Sequence, residues 1–251
     1  MDLVISPGFF TGMSLTKAGL DLALHELIGR VSGLSPAQLW GRERGGPIRL
    51  SWTLNPRTLE ELEGLIAEGH RRGYKTFNVK VAPDPKFDVE MCKLVKRPVR
   101  EGFLWADANG GYDLATALAV APKLADAGVA VLESPLRPNR TSGDRALKKQ
   151  GALPILMDEG VVAPEVLIEF IQLDMMDGVA MKPARCGGLW PQRRQIEIIE
   201  DAGLIWLRSF QRSAVFANHR KTKTGALKRW RALASFSLEG SKSGRSDEQD
   251  D

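Results

Sequence analysis

Phe77-Asn78-Val79-Lys80 is the first of five short apolar runs that each end in a charged residue, and this series decides the fold. The charged residues that end the other four runs are Asp107, Glu133, Asp158 and Lys182. Their positions (80, 107, 133, 158 and 182) are separated by 27, 26, 25 and 24 residues. That interval is about the length of one strand, one helix and two loops, which predicts βαβ units and a parallel sheet. A (β/α) barrel would bring all five side chains to the face where its strands end.

The order of the five residues, lysine, three acids, lysine, indicates a particular kind of site. Three carboxylates at one barrel mouth repel one another unless a cation lies among them, and oxygen ligands suit a hard divalent cation. Lys80 and Lys182 on either side of that cation would be candidate proton carriers. A single acid after a strand is more often a helix N-cap or a solvated charge, but five residues in step with the barrel period favour one shared site.

Composition places the chain among ordinary globular proteins. It has 251 residues, of which 43% are hydrophobic and 26% are charged, enough for one barrel or two small domains. No apolar run approaches the roughly 18 residues of a membrane span, and the first residues do not read as a signal peptide. Two cysteines provide no disulfide framework. These features predict a cytoplasmic protein with no membrane partner.

The net charge of +4 is unevenly distributed along the chain. Residues 211–238 contain seven lysines or arginines and no acid, whereas residues 239–251 contain five acids and two bases. Residues 1–210 are therefore neutral overall. The basic segment leaves polyanion binding open as a minor alternative, but no nucleic-acid-binding motif accompanies it, so a nucleic-acid partner is not expected.

The flanks of the barrel pattern are predicted from local periodicity. Residues 14–40 are predicted to be helical, with an apolar face formed by Leu15, Ala18, Leu22, Leu24, Leu27 and Ile28. A first strand is predicted over residues 48–54 and a seventh over residues 204–207. The barrel period is lost after Ser209, and the one candidate for an eighth strand is Ala232–Leu238. We expect residues 211–251 to be partly disordered and to differ from a final barrel unit.

Several motifs in this order resemble the muconate-lactonising and mandelate-racemase branch of the enolase superfamily. They lie between residues 14 and 208: Ala18–His25, Asn78-Val79-Lys80, Asp107-Ala108-Asn109-Gly110, Glu133-Ser134-Pro135, Asp158-Glu159 and Lys182-Pro183-Ala184-Arg185-Cys186-Gly187-Gly188. The resemblance implies an α/β fold, a TIM-type barrel of (β/α)7β form that is incomplete here, with the remnant of an N-terminal α+β lid domain. We assign residues 1–46 to the lid remnant, 47–210 to the barrel and 211–251 to a divergent tail, basic and then acidic.

The resemblance also implies roles for individual residues. Asp107, Glu133 and Asp158 would bind Mg²⁺, with Mn²⁺ as an alternative, and no other cofactor is expected. Lys80 and Lys182 would stand on opposite faces of a small carboxylate substrate and move the proton next to its carboxylate. The resemblance assigns Asn78, Asn109 and Glu159 to substrate binding or to support of these groups. Asn78 stands where the family usually has the first lysine of a Lys-x-Lys pair.

Several functions remain open at this point. The first is a metal-dependent racemase, epimerase or cycloisomerase; the others are an acid-sugar dehydratase and a catalytically impaired barrel that acts as a fragment or scaffold. Loss of the last barrel loops would admit water to the metal, so we expect low activity. Exposed edges of the first and seventh strands predict a homo-oligomer, because open edges pair with other chains.

Overall fold

A computed structural model describes residues 12–42, 50–99, 103–138, 140–210 and 213–217. The predicted strand at Ala232–Leu238 and the acidic end of the predicted tail lie outside the described residues. Within these ranges, no helix is both long enough and apolar enough to cross a membrane.

Strands and helices alternate through most of the chain. The strands are β1 (Ser51–Leu54), β2 (Thr76–Lys80), β3 (Leu104–Asp107), β4 (Val131–Glu133), β5 (Ile155–Met157), β6 (Gly178–Met181), β7 (Ile205–Phe210) and β8 (Ser213–Ala217). The helices are α1 (Ser14–Ser32), α2 (Pro36–Leu39), α3 (Glu61–Arg71), α4 (Pro85–Lys96), α5 (Leu114–Asp126), α6 (Thr141–Gln150), α7 (Pro164–Gln172), α8 (Pro183–Cys186) and α9 (Leu189–Asp201).

One sheet contains all eight strands in sequence order. Strands β1 to β7 are parallel, which confirms the predicted incomplete (β/α) barrel. β8 is antiparallel to β7 and also approaches β1. It lies inside the segment assigned to the tail, upstream of Ala232–Leu238, the one candidate for an eighth strand in the sequence. β8 thus lies between β7 and β1, the two strands whose edges were predicted to be open.

Alternation along each strand divides the apolar side chains into two sets. One set packs between the sheet and the helices and includes Leu54, Phe77, Val79 and Leu104. The other set is a smaller buried cluster on the opposite face of the strands: Phe103, Trp105, Ala130, Val131, Leu156, Ile205 and Leu207. Because Asp107 and Glu133 are two positions after Trp105 and Val131, their side chains lie on that same inner face, directly above the cluster.

Helix α1 packs differently from the prediction. Its buried residues are Ala18, Asp21, His25 and Gly29, whereas the predicted face is largely exposed, with Leu15 74% and Leu27 57% accessible. The orientation of α1 is set by a polar tertiary contact and not by its apolar side chains. Asp21 is fully buried, and its Oδ2 accepts a hydrogen bond of 2.6 Å from the backbone N–H of Leu189 at the start of α9.

Local capping explains several helix starts. Asp84 accepts hydrogen bonds from the first amides of α4, and Asp113 accepts one from Thr116 N at the start of α5. Pro164 occupies the first turn of α7, where the missing N–H of proline leaves no helical hydrogen bond unmade. No residue range was predicted for α6, which supplies the helix that the βαβ spacing requires between the fourth and fifth strands.

Candidate active site

The five charged residues of the sequence pattern all lie at the carboxyl ends of neighbouring strands. Lys80, Asp107 and Glu133 are the last residues of β2, β3 and β4, and they are aligned in register as Lys80 with Asp107 and Asp107 with Glu133. Asp158 and Lys182 follow β5 and β6 directly. Parallel strands bring their carboxyl ends to one edge, so the five residues form one mouth.

Each lysine of this mouth contacts a carboxylate. Lys80 Nζ pairs with Asp107 Oδ2, and Lys182 Nζ pairs with Asp158 Oδ2. The carboxylates are buried, whereas the lysine side chains keep 32% and 26% of their surface accessible. Both ammonium groups therefore lie at the boundary between the buried acids and the open mouth.

Glu133 has no such partner. It is 1% exposed, and neither carboxylate oxygen has a hydrogen-bond partner among the described residues. Burial, followed by the charges of Asp107 and Asp158, holds the pKa of Glu133 well above its usual range, even though Lys182 and Lys80 act to lower it. A buried carboxylate with free oxygens between two others is the arrangement that a cation would stabilise.

A network of polar side chains joins the strand ends. Asn109 donates its backbone N–H to Asp107 Oδ1 (2.9 Å), accepts from Lys80 Nζ at its Oδ1 (2.8 Å) and donates through Nδ2 to Glu159 Oε1 (3.1 Å). Ser134 Oγ donates to Glu159 Oε2 (2.6 Å) and accepts from Asp158 N (3.2 Å). Asn109 thus links the β2 and β3 ends to the turn after β5.

Backbone strain and charge accompany this network. Asn109 and Ser134 have φ values of 44° and 43°, in the left-handed region that side chains seldom adopt. Burial raises the pKa of Glu159, but the hydrogen bonds from Ser134 and Asn109 outweigh it, so the pKa is lowered overall. Glu159 is therefore held as a carboxylate.

Asn78 lies one layer below Lys80 on β2. It is 4% exposed, is paired in register with Trp105, and its Nδ2 has no hydrogen-bond partner within the described part of the chain. An unpartnered buried amide is costly, and one that faces the inside of a barrel next to the mouth can serve a ligand above it.

Arg185 is a site residue for which the sequence predicted no role. Its Nη2 donates to Asp158 Oδ2 (3.2 Å), its Nε lies 2.8 Å from Asp158 Oδ1, and Nη2 lies 3.9 Å from Glu159 Oε1. Burial raises the pKa of Asp158, and Lys182 and Arg185 oppose that rise. The spacing of Arg185 from Lys182 could have indicated this role. In a helical turn, a residue three positions after Lys182 lies on the same side of the chain as Lys182.

The donor set suits a hard divalent ion, although the side chains are turned towards the lysines. Across the ranges that the structure describes, no three His, Cys, Asp or Glu side chains converge closely enough to hold a metal ion. Asp107 and Asp158 each direct an oxygen to an ammonium group instead. Three carboxylates at adjacent strand ends, one of them with both oxygens buried and unpartnered, nevertheless match the chemistry that Mg²⁺ or Mn²⁺ requires.

Comparison with known proteins places this geometry in a family. A family profile described as "Enolase C-terminal domain-like" matches residues 61–238. Muconate cycloisomerase 1 of Rhodococcus opacus is 28% identical over 192 residues, which are 75% of this chain and 51% of that protein. N-succinylamino acid racemase of Thermus thermophilus is 29% identical over 215 residues, 84% of this chain and 56% of that protein.

Solved structures agree with the sequence relatives. The structure of 2-chloromuconate cycloisomerase from Rhodococcus opacus is 27% identical and superposes with a TM-score of 0.73, covering 80% of this chain and 56% of that one. The chain spans about half the length of the curated relatives it matches. With a matching profile over most of its length, this chain belongs to the enolase C-terminal domain-like family, in the muconate-lactonising and mandelate-racemase branch of the enolase superfamily.

Proposed function

We propose that this chain carries a metal-dependent site that removes the proton next to a carboxylate, as a racemase, an epimerase or a cycloisomerase. The observation that carries the proposal is Glu133, whose two buried oxygens lack partners while Asp107 and Asp158 flank it. The relatives that share the fold are named as cycloisomerases, racemases and epimerases, which supports this reaction type.

Lys80 and Lys182 are the proposed proton carriers. They end β2 and follow β6, four strands apart in the curled sheet, so they reach the mouth from opposite sides. A substrate between them would meet one amine on each face. Removal of a proton on one face and its return on the other inverts a carbon centre, so this placement favours the racemase or epimerase form over a one-base reaction.

Asp107, Glu133 and Asp158 would hold the metal. Held there, a divalent cation would supply positive charge to offset the negative charge that develops as the proton leaves. The carboxylates of Asp107 and Asp158 also hold the two ammonium groups in the structure. Either lysine must lose a proton before it can act as a base, and that loss would leave its carboxylate without a positive partner. A cation held by the three acids would supply one.

Metal binding can be tested without a substrate. Calorimetric titration of chelator-treated protein with Mg²⁺ and Mn²⁺ should give one site, and Asp158→Ala should abolish it. Asp174→Asn is the matched control, because Asp174 is exposed and pairs with Lys148 on another part of the surface. Unchanged binding in Asp158→Ala, or no binding in the unaltered protein, would contradict the assignment.

Proton abstraction can be tested without knowing the product. In deuterated water with Mg²⁺, NMR should show exchange of the α-proton in at least one member of a panel of muconates, N-succinylamino acids and dipeptides, the classes suggested by the names of the relatives. Lys182→Met should lose exchange while it keeps metal binding. Metal binding without any exchange would instead favour an impaired barrel that serves as a fragment or scaffold.

The proposed partners are a small carboxylate and further copies of the same chain. Exposed apolar side chains on α1 support self-association, since a helix of a monomer seldom leaves such a face open. The three-segment division of the chain and a cytoplasmic location stay predictions.

A further inference from the structure

A second cleft lies beside the active-site loops and takes no part in the chemistry proposed above. Its volume is about 650 Å³, and it is formed by the loop between β3 and α5 and the loop and first turn that lead into α6. The residues that line it are Gly110–Leu114, Leu136, Arg137, Arg140, Ser142 and Gly143. A cleft of this size accommodates a molecule of metabolite size.

The floor of this cleft is tightly built. Gly110 N donates to Ser134 O (2.7 Å), and Tyr112 N donates to Pro135 O (3.2 Å), so the two loops are joined by backbone hydrogen bonds. A Cβ on Gly143 would lie 2.5 Å from Leu136 Cδ1, and a Cβ on Gly110 would lie 3.1 Å from Arg137 Cα. These close approaches leave no room for a side chain at either glycine.

The cleft carries two positive side chains and one negative side chain among the described residues that line it. Arg137 and Arg140 both line it, both are exposed, and no described carboxylate forms an ion pair with either guanidinium. Asp113, the acid that lines the cleft, already accepts two hydrogen bonds from Thr116 through both oxygens.

We propose that this cleft binds the anionic oxygens of a small molecule, a carboxylate or a phosphate group, between Arg137 and Arg140. Guanidinium groups recognise such oxygens through paired N–H donors, and the Ser142 hydroxyl adds a neutral donor. Leu114 and Leu136 supply an apolar wall for the remainder of the ligand. This site stands apart from the acidic mouth and does not depend on the metal chemistry proposed there.

Titration of the full ¹⁵N-labelled chain with inorganic phosphate, and separately with succinate, tests the site at constant ionic strength. The amides of Gly110 and Gly143 should shift saturably, and that of Gly64 on α3 should not. Arg137→Gln combined with Arg140→Gln should weaken binding about tenfold, as expected for loss of charge-assisted hydrogen bonds. Arg145→Gln is the matched control, because Arg145 is exposed on α6 and does not line the cleft. This variant should change the dissociation constant less than about twofold.

Three results would overturn the proposal: no saturable shift at Gly110 and Gly143, equal affinity in the double variant, or an equal loss in Arg145→Gln, which would indicate a general charge effect. If the double variant does not fold, Arg140→Lys retains the charge but removes the fork of donors, and should still weaken binding measurably. Tighter binding of succinate assigns a carboxylate ligand, and tighter binding of phosphate assigns a phosphorylated one. Asp158→Ala should leave the site intact, which separates this result from failure of the metal proposal.

Discussion

At the scale of single residues, Glu133 is the least favourably placed acid of the candidate active site. Its carboxyl is buried, unpartnered and adjacent to two other acids. We expect Glu133→Gln to raise the thermal stability of the metal-free protein, because an amide of the same shape is neutral without the proton uptake that burial imposes on the carboxyl. The same change should weaken Mg²⁺ binding. Differential scanning calorimetry with and without Mg²⁺ measures both effects, and lower stability of the variant without metal would contradict the account.

Asp144 provides a pH-dependent prediction away from the metal ligands. Burial raises the pKa of this α6 carboxyl from 3.8 to about 7, and the residue is 3% exposed. The folded protein therefore holds a proton that the unfolded chain releases, so this contribution to stability is complete below pH 4 and is lost as the pH rises towards 7.

Asp144→Asn isolates that contribution. Between pH 4 and 7 the free energy of unfolding of the unaltered protein should fall, relative to the variant, by about 1.4 kcal/mol per pH unit. Urea unfolding at a series of pH values measures the slope. Asp126→Asn, at an exposed position near the end of α5, should leave it unchanged. Parallel curves for the unaltered protein and Asp144→Asn would show that Asp144 does not titrate as described.

At the scale of elements, one buried carboxylate ties together two loops of the mouth. Asp88 on α4 accepts from the backbone N–H of Ala82 (2.9 Å) and from the Tyr112 hydroxyl (2.5 Å). Ala82 has φ 73°, and a Cβ on Gly111 would lie 2.6 Å from the Ala82 Cβ. The turn that follows Lys80 and the loop that carries Asn109 are therefore locked against each other.

Removal of the Tyr112 hydroxyl should loosen this lock. We expect Tyr112→Phe to destabilise the protein by about 1–2 kcal/mol, since a buried hydrogen bond to a carboxylate is lost. Tyr74→Phe is the natural control: Tyr74 is the other tyrosine of the chain, and it contacts Trp52 through its ring. It should cost less than about 0.5 kcal/mol in chemical denaturation. Equal losses of stability in the two variants would show that the hydrogen bond from Tyr112 to Asp88 does not stabilise the fold.

At the scale of the whole molecule, helix α1 leaves an apolar stripe in contact with solvent. Leu20, Leu27 and Val31 are spaced by 7 and 4 residues and are 50%, 57% and 81% accessible. Positions at this spacing share one face of a helix. We expect light scattering to give a multiple of the single-chain mass, and Leu27→Glu with Val31→Glu to reduce it. Leu173→Glu, at an exposed leucine that follows α7, should not. A single-chain mass for the unaltered protein would refute self-association.

The sequence could predict the features that depend on local order along the chain. The strand ends at Lys80, Asp107 and Glu133 were recognisable because parallel strands repeat at a fixed interval and bury their apolar runs. No residue range could be predicted for α6 because only two of its ten residues, Ala146 and Leu147, have apolar side chains, too few to show a helical period. β8 was not predicted because it is only five residues long and runs antiparallel to β7, so it does not follow the βα repeat.

Contacts between distant parts of the chain were less predictable. The buried face of α1 depends on Asp21 meeting the first turn of α9, which no local pattern reveals. Arg185 was quoted in a motif without a role, because its partner Asp158 is 27 residues away and the ion pair exists only once β5 and β6 are adjacent. Sequence periodicity places residues at an edge of the sheet, but the pairing of side chains across that edge requires the fold.

The contact between Asp21 and Leu189 bears on how this molecule could be divided or recombined. A carboxylate near the start of the chain completes the first turn of a helix 168 residues later, directly after Gly188, where any added Cβ would lie 2.4 Å from that carboxyl group. A barrel cut free of α1 would lose this cap just beyond the loop of Lys182 and Arg185. Exchange of N-terminal segments between relatives is therefore constrained by one atom, Asp21 Oδ2. An incoming segment must place a hydrogen-bond acceptor where this oxygen meets the N–H of Leu189.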